Sequence, residues 1–405
     1  MKGIDFAKTY FCIIYFMPCF FGYTSLNRGQ MIYLAVYFAF SLFFVVIMPF
    51  RKFIDITYAM LPFLMLTIHY SFSSIMNFST NNMIIGDVIE ILRPIIYFLS
   101  FLFSIMIFQP YVRKQGLYYY TGFFEKIVFF ASFVEFFKYF DPLKQVFYLY
   151  TPSEFGSINY IRLSGFTGFA YSYAWILLIC IILNAIKTNG RISFRFFYFS
   201  ILIFLTGSRT GIFALGMTYF FLFFVLKKIR IRLVLFLISG AAVIYTLYSA
   251  NLEVAVTSIG HTKKLVLSFL NKKSMDGSLV TRLSQIDDAL ARFYQSPVYG
   301  VASSKQDGAR LELFYFHHLG VWGSVGLFLY FVLLFIFVKF MTKTEKEVYW
   351  LILMMSFILC FSLVLFDQVR LFNIFYALIA LLIINSYYKQ KEKRHETPNH
   401  FSSLR

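Results

Sequence analysis

Six residues have types and settings that could do chemistry. Arg162 stands in Arg162-Leu163-Ser164-Gly165, and Arg209 in Leu205-Thr206-Gly207-Ser208-Arg209-Thr210-Gly211. Arg282 follows Thr281 and precedes Pro297-Val298-Tyr299-Gly300. Guanidinium is always charged and presents a planar fork of donors that matches phosphate oxygens, so arginine is favoured over lysine where bidentate recognition matters. The plainer role of any one of them is to anchor a helix at the membrane interface. Glu312, His317 and His318 lie just before Gly320-Val321-Trp322-Gly323. These residue types can take or give a proton. Glu312 can equally pair with Arg310, and the histidines can equally pack between helices.

Other chemistries lack their residues. There is no phosphate-binding glycine loop ending in Lys-Ser/Thr, no GxSxG, no HExxH and no exposed DxD. Asp287-Asp288 falls in a stretch with helical apolar spacing (Leu283, Ile286, Leu290) and reads as a solvated helix face. Cys12, Cys19, Cys180 and Cys360 all sit in apolar runs, which suits neither a disulfide framework nor a zinc site. Neither a metal nor another cofactor is expected. Glu90 with Arg93, and Glu135 with Lys138, are three apart and share helix faces. His69, near the outer end of its span, receives no role.

The elements that must position these residues are membrane helices. The chain has 405 residues, of which 60% are hydrophobic and 14% charged, and its mean hydropathy is +0.71. Soluble domains carry about 25% charged residues, so a soluble enzyme, a disordered chain and a secreted disulfide scaffold are excluded. Lys and Arg exceed Asp and Glu by 18. Most of that excess lies in short loops between apolar runs, where it sets orientation and does not point to nucleic acid.

Stretches of about 20 apolar residues fall at 6–22, 31–50, 54–76, 88–108, 117–138, 166–186, 196–207, 209–226, 233–250, 311–340, 347–366 and 371–388. Residues 196–226 are too long for one comfortable span. Reading them as one helix would leave Arg209 in hydrocarbon, at a cost of several kcal/mol, and put the basic clusters at 187–195 and 227–232 on opposite sides. Two short helices meeting at Ser208-Arg209 put every dense basic cluster inside. The expected fold is therefore an all-α polytopic membrane protein, one integral domain over 1–405. It has about twelve transmembrane helices, cytoplasmic termini, a large external loop at 251–310 between the ninth and tenth spans, and a basic cytoplasmic tail at 389–405. The external loop is net basic, which suits either a neutral surface segment or a receiver of an anionic substrate.

Taken in order, Arg-Leu-x-Gly before a span, Leu-Thr-x-Ser-Arg-Thr-Gly between two spans, and a long loop with Arg…Pro-x-x-Gly resemble the O-antigen polymerase and O-antigen ligase superfamily. The polar entry to the Gly-rich helix at 320–323 resembles it too. The resemblance covers roughly 161–330 in motifs and the whole chain in architecture. It implies a metal-independent glycosyltransferase in the bacterial inner membrane, working at the outer face on undecaprenyl-diphosphate-linked oligosaccharide among membrane lipids, with a chain-length regulator as a further partner. It also implies that Arg162, Arg209 and Arg282 bind the diphosphate, where fixed cations stabilise the charge of the departing group, and that a base assists the acceptor hydroxyl.

Ligases of the family carry a histidine about eleven residues before the Gly-rich helix. Here that count from Gly323 reaches Glu312, with His317 and His318 coming later. The departure favours a polymerase of repeat units, with Glu312, His317 and His318 as candidate bases. The alternatives are ligase-type transfer to another acceptor and a flippase of the same lipid-linked units. Transporters, the class to which a flippase belongs, usually show matched halves and midplane sites made by broken helices, whereas these residues gather at the external face.

Overall fold

A computed structural model describes residues 5–17, 26–47, 54–77, 85–136, 163–167, 170–189, 193–225, 277–302, 313–360 and 369–396. Among them are twelve α-helices: α1 (Phe6–Phe16), α2 (Leu26–Ile47), α3 (Thr57–Met76), α4 (Ile85–Gln115), α5 (Leu117–Phe136), α6 (Ala170–Lys187), α7 (Phe194–Leu205), α8 (Arg209–Val225), α9 (Gly277–Gln295), α10 (Phe314–Ile336), α11 (Lys343–Leu359) and α12 (Val369–Glu396). Five are long and apolar enough to cross a membrane: α3, α4 from Glu90 onward, α6, α10 with the 3-10 turn that extends it to Phe340, and α12. Eleven of the twelve expected stretches coincide with a helix. The remaining one, 233–250, lies outside the described residues, as does all of the external loop except α9 and the 296–302 segment.

A helix that is apolar all round must be buried or face lipid, and both outcomes occur. α6 is buried along nearly its whole length, from Ala170 to Ala185, and α12 from Arg370 to Ile384. They form the centre of the bundle. At the periphery α2 exposes Leu42, Phe43 and Val46, and α3 exposes Leu61, Leu64, Ile68 and Ile75. Apolar faces of that extent suit hydrocarbon and are rare on soluble monomers.

Polar contacts tie the helix ends into two sets. At one end Asn184 on α6 donates to Glu125 on α5 at 3.0 Å, and Ser193, which caps α7, donates to Asn184 at 2.6 Å. Lys389 on α12 pairs with Glu345 on α11 at the same end. At the other end Phe314 N–H donates to Cys360 at 3.1 Å, Arg370 donates to the Met17 carbonyl at 2.5 Å, and α7 turns into α8.

The α7–α8 turn explains its own sequence. Thr206 Oγ1 donates to the Ile203 carbonyl at 2.6 Å and accepts from Ser208 N–H at 3.2 Å. Gly207 takes φ +60°, and Ser208 caps α8 by accepting from Gly211 N–H at 3.1 Å. Gly211 lets the turn close on α6, since a Cβ there would stand 2.8 Å from the Ala174 side chain. The arms are about 18 Å and 25 Å long, less than the roughly 30 Å of hydrocarbon. Thr206 and Ser208 are buried, so the tip is packed into the protein instead of projecting from it.

Candidate functional site

The site centres on a break in α10. Gly323 has φ +69° and ψ −174°, a conformation open essentially to glycine alone, so the helical ladder is interrupted there. An interrupted ladder leaves backbone groups that must find partners, above all inside a membrane. The segment after α9 supplies them. Val301 N–H donates to the Gly320 carbonyl at 3.2 Å and Ala302 N–H to that of Val321 at 2.9 Å. In return Ser324 N–H donates to the Pro297 carbonyl at 2.9 Å and Val325 N–H to that of Val298 at 3.3 Å. Residues 297–302 thus replace the missing helical bonds on both sides of the break.

The fit leaves no room for side chains at two positions. A Cβ on Gly300 (φ +75°) would stand 2.2 Å from the Val321 carbonyl oxygen, and one on Gly323 2.3 Å from that of Val298. Those two glycines belong to the Pro-x-x-Gly and Gly-x-x-Gly motifs, so both motifs serve one joint. Ala302 is held at φ +61°, where a non-glycine residue costs about 1–2 kcal/mol.

Helix α3 braces the joint from the opposite side. His69 Nε2 lies 2.8 Å from the Trp322 carbonyl oxygen. A carbonyl only accepts, so Nε2 carries the proton. The Tyr70 ring stacks on Trp322 with centroids 3.9 Å apart and planes 7° from parallel. Asn77 donates to the Gly300 carbonyl at 3.2 Å and to that of Ser73 at 2.7 Å. Gly326 makes space for this, because a Cβ there would stand 2.5 Å from the Trp322 Cβ and 3.1 Å from His69 Nε2. On α4, Arg93 pairs with Glu90 at 2.5 Å. Pro94 has no N–H to give the Glu90 carbonyl in the helix ladder.

Of the six expected residues, three are described with their side chains. Arg282 lies on α9, half-buried, and its Nε is buried without a hydrogen-bond partner among the described residues. It shares the inner face of α9 with Ile286, Ala289 and Arg292, and the Ala289 carbonyl abuts Gly320 on α10. Asp287 and Asp288 are exposed on the opposite face, as their spacing predicted. His317 is half-buried in the first turn of α10. His318 is buried, with Nδ1 3.1 Å from the Phe314 carbonyl oxygen and its ring against Phe314 and Tyr330. Arg209 begins α8, but its side chain lies outside the described residues, as do Arg162 and Glu312 entirely and the Glu135–Lys138 pair. Gly165, three residues after Arg162, takes φ +57°, and a Cβ there would stand 2.5 Å from the Tyr173 ring.

His69, Tyr70, Asn77 and Trp322 were not marked as a group by the sequence. Their only signal was a polar residue inside an apolar span, at His69.

The architecture defines a class: a multi-helix, apolar bundle with a split helix pair and a broken helix at one end. Residues 194–324 match the family model described as O-antigen ligase, which supports the superfamily that the motifs resembled. No curated protein matches the chain. The matched stretch opens at the first residue of α7 and closes one residue beyond Gly323. It therefore takes in the split pair, α9 and the whole of the joint up to its break.

Proposed function

We propose that this protein polymerises polyprenyl-diphosphate-linked oligosaccharide repeat units at the outer face of the bacterial inner membrane. The match over residues 194–324 carries the coarser reading, glycan transfer of the O-antigen ligase and polymerase type on lipid-linked oligosaccharide. In the reaction, the bond between the anomeric carbon of the growing glycan and its diphosphate breaks. An acceptor hydroxyl of the next carrier-linked unit forms the new bond to that carbon and gives up its proton to a base. The diphosphate leaves with the electron pair. Arg162, Arg209 and Arg282 are assigned to the diphosphate, whose charge grows as it departs and is stabilised best by cations already in place. The Nε of Arg282, buried and without a partner among the described residues, supports that assignment.

The proton acceptor is assigned to Glu312, with His317 as the second choice because it is the less buried of the two histidines. Glu312 stands where the family's ligases carry a histidine, and this favours polymerisation over ligase-type transfer. The deciding experiment is the glycan profile of a deletion strain. Loss of a polymerase leaves a single repeat unit on the final acceptor, and Glu312→Gln reproduces that phenotype. Long glycan stranded on its lipid carrier would instead identify a ligase, and unattached single units a flippase.

A further inference from the structure

We infer that His69 is a positioning residue for glycan transfer, acting through the Trp322 carbonyl to hold α9 and the first turns of α10 in register. The inference rests on the glycan-transfer reading above. It starts from a count of backbone groups. The break at Gly323 takes three successive carbonyls, Gly320, Val321 and Trp322, out of the regular ladder. The first two accept from Val301 and Ala302 of the docked segment. The third accepts from His69 on α3, another spanning helix. A buried carbonyl robbed of its donor is costly, so the joint closes fully only with His69 in place.

The joint matters because it connects the proposed working parts without slack. Arg282 lies on α9, and no flexible linker separates that helix from the break. Ser296 N–H still bonds the Phe293 carbonyl at 3.2 Å, and Gly300 N–H bonds that of Ser296 at 2.9 Å. Two residues later the chain is docked on α10, one turn below His317. A shift at the break therefore moves the arginine-bearing helix relative to the start of α10. Misplacing a reacting group by about 1 Å can cost on the order of a hundredfold in rate. Tyr70 and Asn77, one residue and two turns along α3 from His69, hold the Trp322 ring and the Gly300 carbonyl. Helix α3 thus grips both components of the joint.

The test uses the full chain in lipid nanodiscs with a synthetic carrier-linked repeat unit. Two quantities are read: hydrogen exchange at Val301 and Ala302, and the rate of transfer. His69→Phe keeps a ring but removes the donor; His69→Gln places an amide N–H close to the position of Nε2. The expected result is faster exchange at both amides and a loss of transfer of about a hundredfold in His69→Phe, with both restored by His69→Gln. Unchanged exchange in His69→Phe would overturn the clamp, and faster exchange with an unchanged rate would overturn the positioning role. If the wild-type protein moves glycan only to a different acceptor, the polymerase reading falls and the same comparison is made on that transfer. Should His69→Phe not accumulate in membranes, Asn77→Ala loosens the same joint at Gly300, and unchanged exchange and rate there would overturn the inference.

Discussion

Arg282 shows how far a single residue can be read. Its side chain lies on the inner face of an amphipathic helix, half-buried, with Nε shielded from water and without a hydrogen-bond partner among the described residues. A guanidinium held that way has an unused donor at a fixed place, which is what recognition of a planar, doubly contacted phosphate requires. Lysine would keep the charge but not the fork. Arg282→Lys is therefore expected to lose most activity while inserting normally, and Arg282→Ala to lose on the order of a hundredfold or more, the usual effect of removing one transition-state donor. Glycan length on gels, scaled to protein level in the membrane, checks this. Full-length glycan in the lysine variant would remove the bidentate contact, and full-length glycan in the alanine variant would remove Arg282 from the site.

At the scale of elements, the determining feature is a helix that is broken and then repaired by another segment. Gly300 and Gly323 are each required twice over, by a positive φ and by a neighbouring carbonyl oxygen within 2.3 Å of where a Cβ would be. Alanine at either is expected to destabilise the protein by about 2 kcal/mol or more, from left-handed strain plus displacement of the docked segment. Ala302 offers the control. It already sits at φ +61°, so Ala302→Gly releases strain of about 1–2 kcal/mol and gives back about 0.5–1 kcal/mol through the freedom of glycine in the unfolded chain. Its stability should stay within about 1 kcal/mol of wild type or rise slightly. Thermal unfolding of the three purified variants in detergent separates the cases. A Gly323→Ala protein as stable as wild type would show that the break is not needed.

For the whole molecule, orientation is the property to test. The basic loops predict that the Glu345–Lys389 end faces the cytoplasm. Ser208, at the tip between α7 and α8, is buried and is a poor probe of sidedness. Tyr294 is 74% exposed on α9, and Glu347 is exposed at the opposite end. With the four native cysteines replaced, a membrane-impermeant maleimide added to intact cells should label Tyr294→Cys. It should spare Glu347→Cys until the membrane is opened. The reverse pattern would invert the protein and move the joint to the cytoplasmic face, away from any externally delivered substrate.

What the sequence determined by itself is everything that depends on summed local properties. Hydropathy over about 20 residues placed the apolar helices, and the Thr-Gly-Ser-Arg-Thr-Gly run divided α7 from α8 where a single helix would have trapped an arginine. Helical spacing likewise put Asp287 and Asp288 on an exposed helix face, which Leu283 shares, while Ile286 and Leu290 are partly buried. Sequence also flagged Pro-x-x-Gly and Gly-x-x-Gly, but as separate motifs. Only the tertiary structure showed that they fill one another, because a glycine that frees a carbonyl carries no mark of the donor that will replace the lost bond. That donor was supplied by segments far along the chain, in one case by His69, 253 residues from Trp322. Local preference decides where a helix can break, and packing between distant helices decides what closes the gap.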